Sequence, residues 1–293
     1  MVSSVVTVFL PLALAVVMFG LGLSLTVADF LAVARSPRAV VIALLCQLVL
    51  LPAVCLGLVL VSGLEPVLAV GMMLLAASPG GTMANLFSHL AGGDVALNVS
   101  LTAINSLISA ATLPVVVNLA LDGFLGDGSG IGLQPGKVAQ VVAIVLVPVA
   151  IGMAVRGRFP ARCAALHGPV KVASAVFLVG VIVVALVQEH RTLAEHAATV
   201  GVLTVVLCVL SLAVGYWVPR LAGITRERAI ASAMEIGIHN STLAITVAIS
   251  VLGSYELAVP AAIYGVVMFV PAGICAFAFS RRGLGPTVPA RTA

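Results

Sequence analysis

The sequence predicts an all-α polytopic membrane protein with nine transmembrane helices. Three observations carry that reading. Charged residues are only 8% of the 293 residues and the mean hydropathy is +1.27, where a soluble domain carries about 25% charged residues. The apolar runs last about 20 residues, enough to cross a hydrocarbon core as helices, and they do not alternate in polarity as barrel strands do. Basic residues fall between the runs in an asymmetric pattern that assigns each loop a side.

The spans run roughly over 5–25, 39–61, 67–88, 94–121, 136–156, 169–188, 198–219, 227–252 and 256–280. No Lys or Arg precedes Arg35, so the first run lacks the basic start of a cleaved leader and is expected to stay as a span. The second carries Gln47 in an apolar setting. The third is interrupted at Ser78-Pro79-Gly80-Gly81-Thr82, where proline removes a donor and the glycines tolerate unusual torsions. Asp94 stands before the fourth and is expected to cap it. The fifth to seventh are plainly apolar. The eighth holds Glu235-Ile-Gly-Ile-His-Asn-Ser-Thr, a carboxylate, an imidazole, an amide and two hydroxyls within eight residues. The ninth ends at a Pro-, Gly- and Arg-rich stretch, 281–293, expected to be a disordered cytoplasmic tail. Residues 1–280 make a single transmembrane domain.

With the N-terminus outside, twelve of the 14 Lys and Arg residues lie in cytoplasmic loops, and only Lys137 and Arg191 lie outside. The expected topology is therefore N-out and C-in, in the plasma membrane. The two breaks, with Asn85 and Asn240 after them, point to an internal duplication with repeats of about 5–121 and 136–280. An inverted repeat of five plus five that lacks its first helix explains nine spans, and such repeats recur in secondary transporters with the site at broken helices.

Glu235 is the only acid deep inside a span; the other acids and every Lys and Arg lie at span ends or in loops, so none is placed to pair with it. A charge at that depth costs roughly 2.5–3.5 kcal/mol on insertion scales and marks a functional site. A bound cation or a proton is what remains to balance it. Asn240, Ser241 and Thr242 add oxygens, the ligands that hard cations prefer. Gln47 is either a contact between helices or part of a polar cavity. Asn98 and Thr102 share a helix face, with Asn105 three residues on, and such a stripe lines a cavity or joins two helices. His239 has three open roles: core hydrogen bonding, proton site or ligand.

Several classes are excluded or disfavoured. No basic cluster interleaves with aromatics, so nucleic acid is not a partner. The five cysteines are scattered, without metal or redox spacing. No nucleophile–base set or phosphate loop is present, so the chain is not expected to be an enzyme. A channel would need a carbonyl filter or charged rings.

These residues resemble the bile acid:sodium symporter family, in its bacterial form. The matching segments are Met18-Phe-Gly-Leu-Gly-Leu-Ser-Leu with Ala28-Asp29-Phe30, Gln47 with Pro52, Ser78-Pro-Gly-Gly-Thr with Asn85, Gly93-Asp-Val-Ala-Leu with Thr102, and Glu235-Ile-Gly with Asn240-Ser241. The resemblance implies an inverted-repeat transporter with panel and core domains and two crossing discontinuous helices. It implies two Na+ sites. One maps onto Asn85, Asn98, Thr102 and Glu235, with the position of Ala84. The other maps onto Gln47, Glu235, His239 and the carbonyls of Ile236 and Ile238. The substrate cavity is expected at Thr82, Asn105, Asn240 and Ser241. Three positions depart from the pattern: Ala84 replaces a serine, Asn98 a small hydroxyl residue and His239 a glutamine. The expected activity is sodium-coupled uptake of a small organic anion, bile acid-like or a monocarboxylate, by alternating access. A proton-coupled or sodium-independent carrier, with His239 in place of one sodium site, is the alternative. The partners are the anion, Na+ and the lipid bilayer; no oligomer is required.

Overall fold

The computed structural model describes residues 2–32, 36–126, 135–160 and 190–282, with isolated positions Cys163, Val176, Gly180 and Val183. The span expected over 169–188 and the tail beyond 282 therefore lie outside the described residues. Among the described residues the fold is helical, in the order α1 (Val2–Ser24), α2 (Val27–Ala32), α3 (Pro37–Ser62), α4 (Pro66–Ala77), α5 (Met83–Leu90), α6 (Val95–Leu125), α7 (Pro135–Arg158), α8 (His190–Leu221), α9 (Arg226–Gly237), α10 (Ser241–Val251), α11 (Val259–Val267) and α12 (Phe269–Arg282). Five continuous helices among these residues are long and apolar enough to cross a membrane: Pro37–Ser62, Val95–Leu125, Gly136–Arg158, Ala198–Leu221 and Glu256–Arg281. The segments 14–24, 66–77 and 241–251 are apolar but shorter. Two of these, α4 and α10, are half-helices of interrupted spans.

The third and eighth expected spans are both broken, as the sequence predicts. Each is a pair of helices around an extended linker: α4 and α5 around 78–82, α9 and α10 around 238–240. Extended backbone inside a membrane must find partners within the protein. These two linkers find each other. Gly80 and His239 form an isolated antiparallel bridge. The Gly81 N–H donates to the Ile238 carbonyl at 2.7 Å, and the Asn240 N–H donates to the Pro79 carbonyl at 2.8 Å.

Contacts at the helix ends join points that the expected topology assigns to one side. Arg156 Nη1 donates to the Leu23 carbonyl at 2.8 Å, and Arg226 Nη2 to that of Phe279 at 2.6 Å. Asp94 caps α6 as expected: its Oδ1 accepts from the Leu97 N–H at 3.0 Å. The same residue reaches Arg228 of α9, with 3.6 Å between Oδ2 and Nε. Along α1 and α7 the backbones approach closely. A Cβ on Gly22 would strike the Val149 carbonyl, and one on Gly152 the Phe19 carbonyl. Small residues at such a contact are how helices pack in lipid, where the hydrophobic effect drives nothing.

Candidate functional site

The site is built where the two linkers cross. Glu235 lies in the last turn of α9, seven residues beyond Arg228 and so about 10 Å along the helix from that cation. It is 2% exposed. Its partners are uncharged and come from α6. Thr102 Oγ1 donates to Oε2 at 2.6 Å, and Asn105 Nδ2 to Oε1 at 3.4 Å. The Thr102 hydroxyl also lies 3.0 Å from the Asn98 carbonyl, and one proton serves one acceptor at a time. The fourth side of the carboxylate is closed by backbone. A Cβ on Gly80 would overlap it, so the Pro-Gly-Gly break not only interrupts a helix but admits the acid from the opposite segment.

A second group gathers around the Ser78 carbonyl, at the end of α4. Gln47 Nε2 donates to it at 3.0 Å, and His239 Nδ1 lies 3.2 Å from it. A carbonyl only accepts, so this contact is a hydrogen bond when Nδ1 carries a proton, and Nε2 has no partner. Gln47 lies in a π-helical turn, Cys46–Leu50, within α3. Such single turns occur often at functional sites.

The feature that separates this region from ordinary packing is a set of buried oxygens with nothing to bind. Most buried polar atoms in proteins have a partner. Here Gln47 Oε1, Asn85 Oδ1, Asn98 Oδ1 and Asn105 Oδ1 have none, nor do Ser241 Oγ and His239 Nε2. Many hydroxyls elsewhere in the bundle are satisfied by the carbonyl three or four residues back, as with Ser109, Ser211, Thr204 and Thr246. The Ser88, Ser106, Ser232 and Ser250 hydroxyls also lack a partner, so it is the amide oxygens that distinguish the crossing. The amide groups around the crossing point their donors into the fold, as Asn98 Nδ2 does to the Ala231 carbonyl at 2.7 Å. Their oxygens remain free. Among the described residues no group of three or more His, Cys, Asp or Glu residues could hold a metal ion. One carboxylate among neutral oxygens is a donor set that suits a hard cation rather than a soft transition metal.

The structure thus brings Glu235, Thr102, Asn105 and Gly80 into contact, joins Gln47 and His239 through Ser78, and fixes Asn98 on α9. Asn105, expected at the substrate cavity, has its amide on the Glu235 carboxylate. Asn85 is half-buried on α5 and Thr82 is exposed just before it. Asn240 is used locally, its Oδ1 capping α10 by accepting from the Leu243 N–H at 3.1 Å. Ile238 offers a carbonyl that already accepts from Gly81 and retains one lone pair. The sequence reading missed Tyr264, a fully buried residue whose hydroxyl donates to the Gly237 carbonyl at 2.9 Å. A lone tyrosine in an apolar span was the available signal, because a buried phenol needs an acceptor.

The chain is similar to known proteins over most of its length. The profile of the Sodium Bile acid symporter family matches residues 11–196. A Bacillus subtilis (strain 168) protein, "Uncharacterized sodium-dependent transporter YocS", is 30% identical over 270 residues, covering 90% of this chain and 79% of that one. The "Ileal sodium/bile acid cotransporter" of Oryctolagus cuniculus is 27% identical over 247 residues, 84% of this chain and 70% of its own. The "Probable sodium/metabolite cotransporter BASS2, chloroplastic" of Oryza sativa subsp. japonica is 25% identical over 291 residues, 97% of this chain and 67% of its own.

Proposed function

The chain belongs to the Sodium Bile acid symporter family, and on that premise we propose that it is a sodium-coupled secondary active transporter that takes up an organic anion by alternating access. The observation that carries this reading is the buried Glu235 carboxylate at the crossing of two broken helices, beside amide oxygens that lack partners. The first cation takes Asn85, Asn98, Thr102 and Glu235. Asn98 supplies an amide oxygen where relatives of the family pattern have a hydroxyl, and so offsets the loss at Ala84. The second takes Gln47, Glu235, His239 and the carbonyls of Ile236 and Ile238. The first cation cross-links segments from both breaks and the second ties α3 to the second break, so binding orders the crossing and prepares the substrate site.

The anion is drawn without a basic side chain. Two sodium ions against one carboxylate leave a local charge of +1, which a monocarboxylate neutralises. The N-terminal ends of α5 and α10, near Thr82, Asn85 and Ser241, add their dipoles to the attraction. Nine spans, N-out, form the transporter domain in the plasma membrane. We assign α1 and α7, which pack along each other, to the panel, with the span expected over 169–188. The broken helices and α3, α6, α8, α11 and α12 form the core, which rocks against it.

A second reading is a proton-coupled or sodium-independent carrier. It is favoured by one observation, the imidazole of His239 with its buried and unpartnered Nε2 where an amide is expected. Uptake of radiolabelled carboxylates into proteoliposomes, with external sodium replaced by choline or potassium, separates the two. The sodium-coupled reading predicts accumulation above equilibrium only with a sodium gradient. Equal accumulation in choline would refute it.

A further inference from the structure

Tyr264 occupies a place that packing alone does not explain. It lies on α11, outside both broken spans, and is fully buried. Its hydroxyl donates to the Gly237 carbonyl at 2.9 Å. Gly237 is the last residue of α9, where carbonyls run out of intrahelical donors. A second, weaker donor, Cys208 Sγ of α8, reaches the same oxygen at 3.6 Å. The Tyr264 ring also meets the His239 imidazole edge-on, with centroids 5.3 Å apart and planes at 70°. One side chain therefore grips the linker on both sides of Ile238. Ile238 itself is extended, at φ −117° and ψ 90°. Its carbonyl turns towards the other break and accepts from Gly81, whereas that of Gly237 turns towards α11.

We infer that Tyr264 is a positioning residue for the cation sites. By committing the Gly237 carbonyl to α11, it sets the rotation of the flanking peptides, so that the carbonyls of Ile236 and Ile238 keep one orientation relative to Glu235. By packing on the imidazole it holds His239 against the Ser78 carbonyl. It touches neither cation nor anion. This inference rests on the sodium-coupled reading above, and its test is arranged to fail separately.

The variant Tyr264→Phe keeps the ring and removes the hydroxyl. The measurements are the half-saturating sodium concentration for uptake, the substrate KM at saturating sodium, and the melting temperature in choline chloride. The expected result is a rise in the sodium constant of about threefold to tenfold, the range of one hydrogen bond, with substrate KM at saturating sodium unchanged. The buried bond is also lost from the ion-free protein, so a lower choline melting temperature accompanies the rise and the sodium constant is the deciding readout. Cys208→Ala, which removes the weaker donor, shifts the sodium constant the same way by about twofold. A purely structural tyrosine lowers the melting temperature and leaves the sodium constant alone, and that outcome overturns the inference. So does an unchanged sodium constant in both variants. If Tyr264→Phe does not fold, Cys208→Ala decides alone. Loss of sodium dependence in the unmodified protein refutes the sodium-coupled reading instead.

Discussion

Gly80 offers the sharpest structural perturbation of the crossing. A Cβ at this position falls inside contact distance of three atoms of the Glu235 carboxyl group, including Oε2 at 2.6 Å. Either the carboxylate turns away or the linker shifts. Turning away gives up the Thr102 bond at 2.6 Å. Shifting strains the two linker bonds at 2.7 and 2.8 Å. A hydrogen bond to a charged group contributes about 1.5–3 kcal/mol, and overpacking costs about 1–3 kcal/mol. Gly80→Ala should therefore weaken sodium binding roughly tenfold to a hundredfold. Gly81 is the internal comparison. A Cβ there first meets the His239 carbonyl at 3.0 Å, which a small adjustment relieves, so Gly81→Ala should do less. Gly57 has nothing within 4 Å of its Cβ and Gly57→Ala should do nothing to sodium binding. The assay is the melting temperature of purified protein titrated with sodium chloride at constant ionic strength, balanced with choline. At 100 times its dissociation constant sodium stabilises by about 2.7 kcal/mol, and a hundredfold weaker variant retains only about 0.4 kcal/mol. If Gly80→Ala titrates like the unmodified protein while remaining folded, the contact between the first break and Glu235 is not part of the cation site.

Two further outcomes follow from the same contacts. His239→Gln should raise the sodium Hill coefficient or remove a pH dependence of uptake, because an amide oxygen replaces an imidazole, a softer ligand able to take up a proton; identical coefficients above one and identical pH profiles would show that His239 does not alter coupling. Asp94→Ala should lower stability by about 0.5–2 kcal/mol through loss of the α6 cap, whereas Asp94→Asn, which keeps an accepting oxygen, should be close to neutral. The pair with Arg228, at 39% and 32% side-chain exposure, contributes little in water-facing surroundings; equal losses in the two Asp94 variants, read by chemical denaturation, would credit the ion pair instead.

Much of this architecture could be read from local chemistry. Charge scarcity and run length give spans, and eight of the nine expected spans correspond to described helices or helix pairs. The remaining one, the sixth, expected over 169–188, lies outside the described residues. Pro79 with two glycines, and Glu235 followed by Gly237, announce breaks. A break in a membrane also announces that its backbone needs a partner. What local chemistry does not name is the partner. The bridge between Gly80 and His239 joins positions 159 residues apart, and no periodicity encodes it. The role of Gly80 was hidden for the same reason, since it depends on what faces the glycine and not on its torsions. Asn105 looked like one more member of a polar stripe; its amide lies on Glu235 because α6 crosses α9 at that height. The cap at Asp94 was legible because it is made within three residues. Tyr264 was passed over because a single polar atom on a large apolar side chain barely registers in composition.

The central claim is that Glu235 is the anionic centre of a sodium site. The most direct test is sodium-induced stabilisation of purified protein against choline, for the unmodified chain and for Glu235→Gln, which keeps shape and removes the charge. The account predicts a clear sodium-specific rise in melting temperature for the former and none for a folded, monodisperse Glu235→Gln variant. An undiminished sodium response in that variant would contradict it.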